Sequence, residues 1–194
     1  MIEVLSTRMC DGGDGISLLI SNDGAKNKYT VSADFFIENQ VAKGFIDEDL
    51  FDYIVQESNN YAAKRAAIRI ITNGQCSKDK LYKKLRARGF SHECAKNASD
   101  FVDSKNYIDE EWQIENYLKT LVEKKNFGKR KVFALLLAKG YKSADIERIV
   151  DAKYSDSDFK KYRSEFLISR FGKSAPETRE EAEEFRKELY KNGY

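Results

Sequence analysis

The stretch Lys105–Tyr141 opens with Lys105-Asn106-Tyr107-Ile108-Asp109-Glu110 and runs through Trp112 to Lys125. It continues as Phe127-Gly128-Lys129-Arg130-Lys131-Val132 and closes on Leu136-Leu137-Ala138-Lys139-Gly140-Tyr141. That ending recurs as Leu85-Arg86-Ala87-Arg88-Gly89-Phe90 before it and as Leu189-Tyr190-Lys191-Asn192-Gly193-Tyr194 after it. In each copy a Leu stands four residues before a Gly, an aromatic follows the Gly, and a Lys or Arg lies between. The glycines are 51 and 53 residues apart, and a further apolar residue (Leu81, Val132, Phe185) precedes each Leu by four. Apolar residues at i and i+4 followed by Gly describe a short amphipathic helix with a left-handed C-cap. Three such helices at a near-constant period predict tandem units of about three helices. Such units bury their apolar faces only against neighbours, so an elongated, curved α-helical solenoid is expected.

Composition suits that architecture. The chain has 194 residues, 34% of them charged, with one proline, Pro176. Cys10, Cys76 and Cys94 are scattered and odd in number. They fit neither a disulfide scaffold nor a paired metal site, and they predict a reducing, cytoplasmic setting. No apolar run approaches the roughly 20 residues of a membrane span, and no signal-peptide pattern opens the chain. Charge is unevenly distributed. Residues 1–59 carry 4 basic against 11 acidic groups (−7), residues 60–141 carry 18 against 9 (+9), and residues 142–194 carry 12 against 12.

Taken in order, residues 1–32 read as a small β-hairpin region. Ile16–Ile20 and Tyr29–Val31 are rich in β-formers around the turn signal Asn22-Asp23-Gly24, and Met1–Leu5 is a candidate third strand. Asp11–Gly15 lacks the alternating carboxylates of a calcium loop and reads as a flexible turn. A helical lead-in over 33–58 starts at Ser32 or Asp34, and its first helix is expected to end at Gly44-Phe45. Repeat 1 covers 59–106, with a helix from Asp47 to about Thr72 leading in and Ser77 and Ser91 as caps. Repeat 2 covers 107–153, with Asp109 or Glu110 and Ser143 at helix starts. A truncated repeat 3 covers 154–194, opened by Ser155 or Ser157, with Pro176 in the first turn of its last helix. Gly172-Lys173-Ser174 lacks the upstream Gly and strand of a phosphate loop and reads as a break.

Candidate chemistry is sparse. His92, the single histidine, cannot build a metal cluster or a triad, and it reads as a solvated helix-start residue. The carboxylates sit at helix starts without apolar surroundings, so no catalytic site, metal or cofactor is expected. Two basic clusters stand out: Lys83, Lys84, Arg86 and Arg88 on one unit, and Lys124, Lys125, Lys129, Arg130 and Lys131 around Phe127-Gly128 on the next. Either is a solvated helix face or a stripe for phosphate or an acidic protein surface, and recurrence in successive units favours the stripe. Three consecutive residues span about 200° of a helix, so at least two of Lys129, Arg130 and Lys131 must face solvent and be available to a partner. Cations at a helix start oppose the macrodipole, which argues for a binding role. Helical spacing assigns Tyr107, Trp112, Tyr117 and Phe127 to core packing rather than to stacking platforms.

The ordered set Ser77…Leu81…Leu85…Gly89-Phe90, then Tyr107-Ile108-Asp109-Glu110…Tyr117…Gly128-Lys129…Leu136…Ala138-Lys139-Gly140-Tyr141, resembles the RecX regulatory proteins of bacteria over about Phe35–Tyr194. The chain departs from that pattern at Trp112, where a smaller aromatic is usual, and in its shorter third unit. The resemblance implies tandem three-helix, helix-turn-helix-like units. It also implies a non-catalytic partner of the RecA recombinase filament on single-stranded DNA, one that inhibits ATPase, strand-exchange and coprotease activities within recombination, DNA repair and the SOS response. A monomer is expected, with single-stranded or duplex DNA as a further partner. The alternative is a general DNA-binding helix-turn-helix protein with no RecA partner.

Overall fold

Asp23 and Gly24 both take positive φ, at 49° and 87°. This is the two-residue turn whose twist suits a hairpin, and it folds Gly15–Asn22 (β2) onto Ala25–Ser32 (β3) with Asn22 opposite Ala25. Ile2–Met9 (β1) pairs antiparallel with the other side of β2, its register shifting between Val4 and Ser6. Gly44–Ile46 (β4) then pairs with β1, Ile2 facing Ile46. The N-terminal region is therefore a four-stranded antiparallel sheet of order β3-β2-β1-β4, of which the expected hairpin is one part. Gly44-Phe45 is likewise a strand and does not end a helix. Ala33–Glu38 (α1) stops at Asn39, and the β-forming Phe45 and Ile46 find an open sheet edge instead.

This computed structural model describes residues 1–10 and 12–194, so Asp11 of the Asp11–Gly15 stretch lies outside the described residues. The chain divides into two units, Met1–Gly74 with Leu81–Tyr107, and Gln75–Lys80 with Ile108–Tyr194.

In the first unit one face of the sheet buries Val4, Ile16, Leu18, Ile20 and Val31 against Phe35, Val41 and Ile54. Ile54 belongs to Glu48–Thr72 (α2), a helix capped by Asp47, whose carboxylate accepts the Leu50 N–H at 2.8 Å. Ser58 of α2 accepts the Thr30 N–H, and Glu57 accepts from Ser32 Oγ, so helix and sheet are tied by polar contacts as well. α2 runs unbroken through residues 58 and 59. Its later turns bury Ala63, Ala67 and Ile70, and it packs on His92–Ser104 (α4), which buries Ala95, Ala98 and Val102. Alanines on both partners let the helix backbones approach closely. Ser91 caps α4 as the sequence implies, and Lys78–Ala87 (α3) buries Leu81 and Leu85.

In the second unit Glu110–Leu118 (α5), capped by Asp109, continues into a π-helical stretch over Lys119–Lys124. Lys129–Ala138 (α6) and Ser143–Lys153 (α7) complete a core of Ile114, Leu118, Leu121, Val122, Val132, Leu136, Tyr141, Ile146, Ile149 and Val150. Ser143 does not cap α7. Lys142 holds the cap position, and no side chain bonds there. Asp156–Phe171 (α8) starts in a full capping box at Ser155 and Asp158, and it ends on left-handed Gly172. Pro176 lies outside Arg179–Lys191 (α9), whose N-cap is Thr178. α8 and α9 bury Leu167, Phe185 and Leu189, with Phe171 stacked on Phe185 at 4.1 Å.

The repeated Leu…Gly-aromatic signature is one hydrogen-bonded cap made three times. The aromatic N–H returns to the Leu carbonyl from Phe90 to Leu85 (3.3 Å), from Tyr141 to Leu136 (3.4 Å) and from Tyr194 to Leu189 (3.0 Å). The glycines between them take φ of 90°, 89° and 86°. This six-to-one bond, with Gly in the left-handed region, is the Schellman motif. Two of these caps also dock on another helix. Gly140 sits where a Cβ would lie 2.7 Å from Ser77 Oγ, and that hydroxyl donates to the Lys139 carbonyl at 2.8 Å while accepting the Lys80 N–H. Gly193 sits against the start of α6, where a Cβ on Gly128 would lie 2.4 Å from the Gly193 oxygen.

Substituting Gly128 by Ala should therefore lower unfolding stability by about 1–3 kcal/mol through backbone overpacking. The check is a fall in the urea midpoint at unchanged slope. An unchanged midpoint would show that the α9 end does not rest on α6 in solution.

Candidate partner interface

The first basic cluster lies on the last turn of α3 and just beyond. Lys83, Lys84, Arg86 and Arg88 are all exposed. Lys84 and Arg86 sit at the electronegative helix end, where cations are stabilising. Arg86 also closes its own cap, with Nη1 donating to the Phe90 carbonyl at 2.6 Å. Nearby, the Tyr82 hydroxyl and His92 Nδ1 are 2.8 Å apart, so the histidine is exposed yet hydrogen-bonded.

The second cluster divides in two. Lys124 and Lys125 are exposed at the end of the π-helical stretch, with Lys125 Nζ 5.8 Å from the Phe127 ring centre. Lys129, Arg130 and Lys131 are the first residues of α6. Lys129 and Arg130 are exposed and Lys131 half-buried, as the helical geometry requires. Their heads are nevertheless engaged within the chain. Lys129 Nζ meets the Asp151 carboxylate at 2.6 Å, and that hydrogen bond raises its pKa above the usual lysine range. Arg130 donates to the Tyr194 carbonyl, and its guanidinium lies 4.8 Å from the Tyr190 ring centre. Lys131 donates to Asn192 Oδ1 at 3.2 Å and lies 4.0 Å over Phe127.

These contacts explain why cations tolerate a helix start. α6 has no side-chain cap. Its free N–H groups go to the end of α9 instead: Gly128 N–H to the Asn192 carbonyl at 2.7 Å, and Arg130 N–H to the Gly193 carbonyl at 3.2 Å. The electronegative end of α9 thus abuts the electropositive start of α6, with Arg130 and Lys131 in the seam and Lys129 turned to Asp151 of α7. The macrodipole cost that the sequence implies is offset locally, so the cluster's position alone is no argument for a partner. Tyr194 is part of the same seam. Its hydroxyl donates to the Asn126 carbonyl at 2.9 Å, and burial pushes its pKa up to about 12.

The aromatics also part company. Tyr117 and Phe127 pack on the core of the second unit, as their spacing implies. Tyr107 and Trp112 are 55% and 54% exposed, so helical spacing misplaced them. Trp112 is the third residue of α5, on a first turn that also holds Glu110 and Glu111. Among the described residues the buried polar side chains are Ser77, Ser99 and Gln113, and Tyr141 donates to Gln113 Oε1 at 2.8 Å. Burial pushes the Tyr141 pKa well above the ordinary tyrosine range. Among the described residues no three His, Cys, Asp or Glu side chains gather as a metal site, and no helix is long and apolar enough to cross a membrane.

No domain-family profile matches the chain. A curated relative, "Regulatory protein RecX" of Caldanaerobacter subterraneus subsp. tengcongensis, is 24% identical over 170 residues, covering 86% of this chain and 82% of that one. Over most of its length the chain is therefore similar to a RecX regulatory protein. Two solved structures agree in fold. A crystal structure of regulatory protein RecX superposes with a TM-score of 0.77 at 15% identity, covering 100% of this chain and 95% of that one. RecX from Lactobacillus salivarius gives 0.59 at 16% identity, over 70% of this chain and 88% of its own. The chain is thus mainly helical with a small N-terminal antiparallel sheet, as in those structures.

Reversing Lys129, Arg130 and Lys131 to Glu together should lower stability by about 1–3 kcal/mol, because partly exposed ion pairs and cation–π contacts contribute up to about 1 kcal/mol each. Reversing Lys124 and Lys125 should change it by less than about 0.5 kcal/mol. Thermal melts of the two variants side by side decide the matter, and equal midpoints would mean that the α6–α9 seam is not formed.

Proposed function

We propose that this chain is a non-catalytic, cytoplasmic regulator that binds the RecA recombinase filament on single-stranded DNA and inhibits its ATPase, strand-exchange and coprotease activities. The observation that carries the reading is the alignment with a RecX regulatory protein over most of both chains, to which the whole-chain likeness in fold adds support. On this reading the three-helix units over 59–106, 107–153 and 154–194 stack as a curved solenoid that follows a helical filament. Lys84, Arg88, Lys124 and Lys125 are the exposed cations best placed to meet acidic protein surfaces or phosphates, and exposed Lys83 lies on the same proposed surface. Arg86, Lys129, Arg130 and Lys131 belong to the same proposed surface but carry internal contacts. They would act by exchanging these contacts for contacts to the partner.

The test is RecA's DNA-dependent ATPase with this chain added below stoichiometry. Inhibition is expected, and reversing Lys83, Lys84, Arg88, Lys124 and Lys125 to Glu should weaken it roughly tenfold or more while reducing its salt dependence. No slowing at any salt concentration would refute the reading. Tight DNA binding without RecA and no effect on RecA would instead favour a general DNA-binding protein.

A further inference from the structure

Between α8 and α9 lies an open cleft of about 510 Å³, lined by Asp156, Phe159, Lys160, Arg163, Arg186, Leu189, Tyr190 and Tyr194. Its construction follows from helical spacing. Asp156, Phe159, Lys160 and Arg163 share one face of α8, and Arg186, Leu189 and Tyr190 share one face of α9. Phe159 and Leu189, each 8% exposed, form the apolar floor. Three cations and one carboxylate rim it.

The rim differs from much of this part of the chain, where several cations are paired. Lys161 meets Glu165, Arg170 and Lys191 both meet Glu188, and Lys173 meets Glu177 and Glu181. Lys160, Arg163 and Arg186 have no ion pair or side-chain hydrogen bond among the described residues. Beside them Tyr190 is 72% exposed, an uncommon position for a large ring. One side of that ring is held by the Arg130 guanidinium at 4.8 Å, which leaves the other side for a single flat group. The Tyr194 ring, fixed by its hydroxyl on Asn126 and tilted on Phe166 at 6.4 Å, closes one end.

We propose that this cleft is a binding site for a free nucleoside polyphosphate, its phosphates on Lys160, Arg163 and Arg186 and its base stacked on the open face of Tyr190. Unpaired arginines at the rim match phosphate geometry, and a tyrosine backed by a guanidinium is a firm stacking platform. The Asp156 carboxylate is left to accept from ribose hydroxyls. The cleft volume suits one small ligand. A strand of nucleic acid would need successive stacking platforms along a track, and the cleft offers one. The inference does not depend on RecA.

Isothermal titration of the full chain with ATP and ADP, magnesium-free and at low salt, tests it. One-to-one binding is expected. Tyr190→Ala and Arg163→Ser should each weaken it roughly tenfold or more, while Tyr190→Phe retains it. All are exposed positions, and unchanged circular dichroism would confirm folding. Inorganic tripolyphosphate should bind at least about tenfold more weakly than ATP. The proposal is overturned if neither nucleotide binds, or if tripolyphosphate binds as well as ATP, which would leave only a basic surface. It is also overturned if a ten-residue oligothymidylate binds and ATP does not displace it, which would make the cleft part of a strand track.

Discussion

A helix that ends on a left-handed glycine exposes three or four carbonyls, and a helix that begins without a side-chain cap exposes as many N–H groups. The second unit satisfies both at once by setting the end of α9 on the start of α6. A related contact sets the end of α6, through the Lys139 carbonyl and Gly140, on the start of α3 at Ser77. Each contact needs glycine for two separate reasons: the backbone must turn left-handed, and nothing larger fits the approach. At Gly193 both hold, with φ at 86° and a Cβ that would lie 2.4 Å from the Lys131 nitrogen. At Gly128 the backbone is ordinary and only the approach matters.

That constraint explains which parts of the fold were legible. The Leu…Gly-aromatic pattern could be read because a Schellman cap is local, with residue types set by a hydrogen bond within six positions. Caps at Ser77 and Ser91 were readable for the same reason, and at Asp109 and Ser155 the cap is one of the two neighbouring residues the sequence offers. What escaped is non-local. β4 has only three residues and depends on pairing with β1 across some forty residues of chain. The partner of the α6 start is sixty residues away in sequence, so the meaning of Lys129, Arg130 and Lys131 changed once Asn192 and Tyr194 were beside them.

The aromatic and basic residues show the limit of periodicity from another side. Trp112 and Tyr107 fall at spacings that suit a buried stripe, yet each ends up half in water. Spacing says which residues share a face and leaves open which face is covered. Net charge misled similarly over 142–194, where equal numbers of acids and bases sum to zero. In three dimensions the acids of α9 crowd its first turns, while Arg186 meets Lys160 and Arg163 across a cleft. A charge count per helix face would have flagged them, and a count per segment could not.

The π-helical stretch over Lys119–Lys124 has a consequence for comparing the units with one another. A wider turn of this kind is held without uncoiling the helix, and the buried face continues across it. Leu118 stays buried on one side and Leu121 and Val122 on the other. The spacing of 51 residues nevertheless holds on both sides of it: buried Ala63 and Ala67 match Ile114 and Leu118 before it, and Leu81 and Leu85 match Val132 and Leu136 after it. The regular helix Glu48–Thr72 thus presents its buried residues at the same spacing as a helix that contains a wider turn, and an alignment of the two needs no gap within 119–124.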